Sequence, residues 1–135
     1  MAPESARQAK LWMVKCRGDL SSANLLLSAA PPQVETGLFH CQQAAEKALK
    51  GWLTTQAVPF PKTHDLALLL RLCIQKDSAF AIWEERLPRL SPFATESRYP
   101  GDALEPSIDD VQDAQKTAEE FVFFVEQKIR AQGIM

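Results

Sequence analysis

Between Leu38 and Leu70 the chain reads LFHCQQAAEKALKGWLTTQAVPFPKTHDLALLL, and this stretch limits the possible folds more than any other. Leu38, Cys41, Ala45, Ala48 or Leu49, and Trp52 recur at three- and four-residue spacing, the period of an amphipathic helix. Pro59 and Pro61 forbid its continuation, because proline lacks the N–H donor and clashes with the preceding turn. Thr63 or Lys62 then leads into a new apolar run from Leu66. On the other face of the helix, Gln43, Lys47 and Lys50 follow at i, i+4 and i+7. Glu46 stands four residues before Lys50, the favourable order for a helical ion pair. A solvated polar ridge and a charged corner at Lys62, His64 and Asp65 are expected to lie close together.

The same period runs through the rest of the chain. From about Glu4 to Ala29, Ala9, Trp12, Cys16, Leu20, Ala23 and Leu27 form the stripe of a long helix, which Pro31 and Pro32 end. The QVET stretch after them is a short connection, so the first two helices are expected to form an antiparallel hairpin. A third helix runs from His64 or Asp65 to Gln75. A fourth, shorter one begins at Asp77 or Ser78 and buries Phe80, Trp83, Leu87 and Leu90. Between Ser91 and Pro106, three prolines and a glycine make a continuous helix unfavourable. Ser107, with Asp110 three residues later, resembles a capping box and opens the last helix. Its stripe is Ile108, Val111, Ala118, Phe121 or Val122, Val125 and Ile129. Phe123 and Phe124 widen that stripe beyond one buried face, as a subunit contact would require. The fold expected is all-α: an antiparallel up-and-down bundle of four to five helices, with an irregular Pro-rich segment before the last.

At 135 residues, 46% hydrophobic and 24% charged, the chain is expected to form one domain over residues 1–135 with a single core. No apolar run is long enough to span a bilayer, and MAPESARQAK lacks the core of a signal peptide, so a cytoplasmic protein is expected. Cys16, Cys41 and Cys73 each fall on an apolar stripe, which reads as reduced core thiols rather than disulfides or a metal site. A net charge of −2 argues against general adhesion to nucleic acid while leaving room for a local basic pocket.

Several residues admit a chemical reading beside a structural one. Gln43, Lys47 and Lys50 could meet phosphates or a base edge, or could form a solvated face held by Glu46. His64 could shuttle a proton, or its ring could tie a loop to a neighbouring helix. His40 reads as a surface or interface residue without chemistry. In ESRYPG, Arg98 could fork onto a phosphate and Tyr99 stack on a base, or Arg98 could bridge to Glu46 while Tyr99 covers the core. There is no zinc spacing, Gly-rich phosphate loop or nucleophile elbow, and no cofactor is expected. Asp109 and Asp110 read as helix-start acids.

In combination, QQAAEKALK, the Pro-rich bend with KTHDL, and RYPG resemble the HEPN family of small helical domains over nearly the whole chain. The resemblance implies a helical bundle, commonly homodimeric and often paired with a minimal nucleotidyltransferase in toxin–antitoxin systems. Many members are metal-independent ribonucleases that carry an Arg-x4-6-His motif. Here that motif cannot be assembled: positions 33 to 35 before His40 and 57 to 59 before His64 hold no arginine, and positions 103 to 105 after Arg98 hold no histidine. The chain is similar instead to a branch with RYP, for which nucleotide binding is implied. The matching residues are Gln43, Glu46, Lys47, Lys50, Lys62, His64, Asp65, Arg98, Tyr99 and Pro100. The reading expected is a nucleotide- or RNA-phosphate-binding domain with a nucleotidyltransferase partner. The alternatives are a ribonuclease using His64 and Arg98, and a pure interaction and dimerisation module.

Overall fold

The computed structural model describes residues 2–95 and 105–135, and these contain helices and no strand. Four α-helices carry the fold: α1 (Pro3–Leu27), α2 (Val34–Thr55), α3 (Leu66–Lys76) and α4 (Ile108–Ala131). Arg98, Tyr99 and Pro100 lie outside the described residues, as does most of the expected irregular segment.

Contacts between α1 and α2 run in opposite directions along the two helices. Lys50 lies over the Trp12 ring, Cys16 Sγ donates to the Ala44 carbonyl at 3.2 Å, Asp19 meets His40, and Leu27 lies against Gly37. The two form the antiparallel hairpin that their short connection implies. A Cβ at Gly37 would stand 2.6 Å from Leu27 Cδ2, so glycine allows this close crossing. α4 is antiparallel to α1 in turn, since Arg17 pairs with Glu126 and Asn24 with Gln115.

α2 is the helix on which the others pack: α1, α3, α4 and the segment Leu87–Phe93 all touch it. It starts at Val34, four residues before Leu38, so most of QVET is its first turn, with Glu35 where a carboxylate suits the dipole. Its end comes before the prolines. Val58 N–H bonds to the Leu53 carbonyl and Ala57 N–H to that of Thr54, while Ala57 takes a left-handed φ of 53°. That is a Schellman stop with alanine where glycine is usual. Leu49, Leu53 and Phe121 are among the fully buried side chains, each stabilising the fold by about 1.5–3 kcal/mol. All three cysteines are free and buried, and burial pushes each thiol up to about 12.

The single fourth helix expected after Asp77 is replaced by two 3-10 segments, Ser78–Trp83 and Leu87–Phe93. The buried pairs Phe80 with Trp83 and Leu87 with Leu90 are each three apart, one full 3-10 turn, so each segment presents both to the core. Pro92 lacks the N–H that an α-helix would donate to Pro88. These aromatics pack on α4: Phe80 and Trp83 lie 5.2 and 5.6 Å from Phe124, and Trp83 lies 5.1 Å from Phe121.

α4 opens with the capping box, both bonds between Ser107 and Asp110 being 3.0 Å. Its stripe is buried from Ala118 to Ile129, but Ile108 is 77% exposed, because the first turn has not yet reached the core. The neighbouring phenylalanines diverge. Phe124 joins the aromatic cluster, and Phe123 faces outward.

Candidate functional site

On α2, at three- and four-residue spacing, the sequence places polar side chains where a central helix must bury them. Buried charge requires a partner, and the helix supplies one from within: Glu46, 3% exposed, meets Lys50 Nζ at 3.0 Å through Oε2. Its other oxygen, Oε1, lies 2.8 Å from His64 Nδ1 and accepts from Gln42 Nε2 at 3.2 Å. Gln42 Nε2 also donates to the His64 carbonyl at 3.3 Å, and Gln43 Nε2 donates to Gln42 Oε1 at 2.6 Å. Lys50 completes its surroundings over the indole of Trp12, 5.7 Å from the ring centroid.

A second carboxylate repeats the pattern. Asp19 of α1 meets His40 Nδ1 at 2.8 Å through Oδ1 and Lys47 Nζ through Oδ2. His40 and Lys47 are seven residues apart and so share one face of α2. The Phe39 ring stands edge-on to the His40 imidazole at 5.3 Å. Each carboxylate therefore holds one lysine and one histidine, and each histidine is bound through Nδ1.

The solvated ridge expected at Gln43, Lys47 and Lys50 is not found. Gln43 and Lys50 are buried, Lys47 is largely covered, and the donors of all three are engaged by protein groups. His40, expected at the surface or an interface without chemistry, is a partly buried partner of Asp19. Lys62 and His64 are exposed, the His64 side chain to 66%. Asp65 caps α3 rather than lying in its first turn, accepting from Leu68 N–H at 3.1 Å. Asp19 and Gln42 escaped the sequence reading, although Asp19 left a signal. It lies three residues after Cys16 and four before Ala23, a charge set into an apolar stripe.

With Nδ1 on Glu46, the far ring nitrogen of His64, Nε2, is directed away from the carboxylate. Neutral, the ring donates through Nδ1 and offers Nε2 as an acceptor; protonated, it donates through both. Glu46 thus orients an accessible imidazole, while Lys50 balances the buried negative charge. Among the described residues no group of three His, Cys, Asp or Glu side chains gathers as a metal site would need.

The architecture agrees with the relatives this chain matches. The model of the HEPN domain matches residues 9–128. The chain belongs to the HEPN domain family. Among solved structures it is similar to ST0689, an archaeal HEPN homologue, with a TM-score of 0.62 and 20% identity. That match covers 90% of this chain and 97% of the other. No curated protein matches. In this HEPN domain the stretch QQAAEKALK carries the buried polar residues of α2, and KTHDL is the corner that brings His64 onto them. Among the described residues no helix is long and apolar enough to cross a membrane.

Proposed function

We propose that this HEPN domain binds the phosphate of a nucleotide or RNA at the corner of Lys62 and His64, with Arg98 and Tyr99 as further contacts. The observation carrying the reading is the anchored imidazole. Its Nδ1 lies 2.8 Å from Glu46 while its side chain stays 66% exposed. Protonated, it and the exposed Lys62 would supply two adjacent cationic donors to an anion. Gln42, Gln43 and Lys50 then act as the frame that holds the corner in place, while Lys47 ties α2 to Asp19 of α1.

Isothermal titration with ATP and with a short single-stranded RNA tests this. Saturable binding is expected, weakened roughly tenfold by His64→Ala and by Arg98→Ala. His64→Ala should leave the circular dichroism of the helices unchanged, since the ring is exposed. Absence of binding by folded protein, or binding by both variants as tight as that of the parent, defeats the reading.

The same anchored histidine favours one further reading, a metal-independent ribonuclease with His64 in acid–base chemistry and Arg98 on the scissile phosphate. RNA cleavage in chelator that disappears in His64→Ala would establish it. We further infer a cytoplasmic homodimer working with a nucleotidyltransferase in a toxin–antitoxin pair. Outward-facing Phe123 and Ile108 support the dimer, and free buried cysteines suit a reducing compartment. Family membership supports the pairing, which the adjacent reading frame would test.

A further inference from the structure

The outer side of α1 belongs to neither carboxylate network. Leu11, Val14 and Leu25 are 47%, 69% and 72% exposed, and with Gly18 and Ser21 between them they form one stripe at three- and four-residue spacing. A Cβ placed on Gly18 would meet nothing within 4 Å. Two hollows lie side by side along this helix. One, of 410 Å³, is lined by Lys10, Met13, Val14, Arg17, Glu126 and Met135. The next, of 520 Å³, is lined by Arg17, Gly18, Leu20, Ser21 and Asn24. Their α1 residues are centred some seven positions apart, about 10 Å along the helix, which is the spacing of i and i+7 anchors on a docking helix.

The exposed charge beside the stripe is mostly positive. From Arg7 to Leu25 the exposed charged residues of α1 are Arg7, Lys10, Lys15 and Arg17, of which Arg7 is forked onto Glu4 and Arg17 onto Glu126, in a chain whose net charge is −2. The acidic residue in that span, Asp19, is turned inward onto His40 and Lys47. Arg17 is held in a forked pair by Glu126 and remains half exposed between the two hollows. A second α1 laid parallel on this face would bring cations against cations, whereas an acidic helix would meet them with opposite charge.

We infer that this face of α1 docks an acidic amphipathic helix of a partner protein. Side chains of the partner seven residues apart enter the two hollows, an apolar one beside Met13 and Val14 and a small polar one beside Gly18 and Ser21, and its carboxylates meet Lys10 and Lys15. The two hollows share no lining residue with the Lys62 and His64 corner, so the two sites can be tested independently.

The test uses the full chain and a labelled helical peptide of about 20 residues, with a leucine at the first anchor position, a serine at the second and glutamates flanking them. Anisotropy should show saturable binding. Val14→Asp and Gly18→Leu should each weaken it roughly tenfold or more, without lowering the melting temperature, because both positions face open space. The double variant Lys10→Glu, Lys15→Glu should switch preference to a peptide carrying lysines in place of the glutamates. No saturable binding up to about 1 mM peptide, or binding indifferent to these variants, overturns the proposal. So does sedimentation showing a dimer that Gly18→Leu dissociates, which assigns the face to a second copy. Displacement of the peptide by single-stranded RNA would reassign it to nucleic acid.

Discussion

Glu46 shows how a buried charge stays in a helix that everything else packs against. Its oxygens are shared between a lysine on its own helix and a histidine 18 residues away. Removing one member of such a set leaves an uncompensated buried charge, so Glu46→Gln should cost about 3–5 kcal/mol in urea denaturation. Adding Lys50→Met to that variant should recover part of the loss. An unchanged midpoint in the single variant would mean that Lys50 swings out to water. Half of this arrangement was legible in the sequence. The Glu46 to Lys50 spacing announces its own ion pair, because partners four apart share a helix face. The bond from His64 does not announce itself: periodicity tells which residues share a face, not what that face meets. The same gap hides Asp19 and its bond to His40, which the sequence places only at the surface or an interface.

At the level of elements, proline and apolar period located every α-helix, and errors fell at the ends and in short pieces. α2 starts earlier than its apolar stripe because the first turn carries polar side chains that add nothing to the period. The 3-10 segments could not be told from one short α-helix, since Phe80, Trp83, Leu87 and Leu90 suit both geometries once a turn separates the pairs. The stop of α2 was credited to Pro59 and Pro61, yet it is made by Ala57 at φ 53°. An L-residue there is strained by about 1–2 kcal/mol, and glycine is not. Ala57→Gly should therefore stabilise the protein by about 1 kcal/mol, seen as a raised melting temperature. A fall would show that the Ala57 methyl group contributes packing that outweighs the strain.

Across the whole molecule, the 3-10 segment after α3 is tied to α4 by Asp77 and Lys128, whose ammonium also lies over the rings of Phe80 and Phe124 at 5.5 and 5.3 Å. The hydrogen bond from Lys128, then that from Ala79 N–H, holds the Asp77 carboxyl below the usual carboxylate range. The unfolded chain takes up this proton more readily than the folded one. The tie thus contributes fully above the ordinary aspartate value near 4 and is lost as pH falls through the lower folded value. Asp77→Asn should be less stable than the parent at about pH 6, with the difference shrinking at about pH 3, as urea midpoints at the two values would show. An equal difference at both would assign the loss to packing rather than charge. The all-helical class and the antiparallel hairpin were readable from one chain; which surfaces oppose one another was not. Small side chains, Ala23 of α1 and Ala44, Ala45 and Ala48 of α2, contribute to the core these helices share. Asp19 acts as the index mark between the two rods. Slipping one rod by a turn, about 5.4 Å, in either direction would take it away from His40 or from Lys47, so the two helices have one alignment in which the carboxylate keeps both partners.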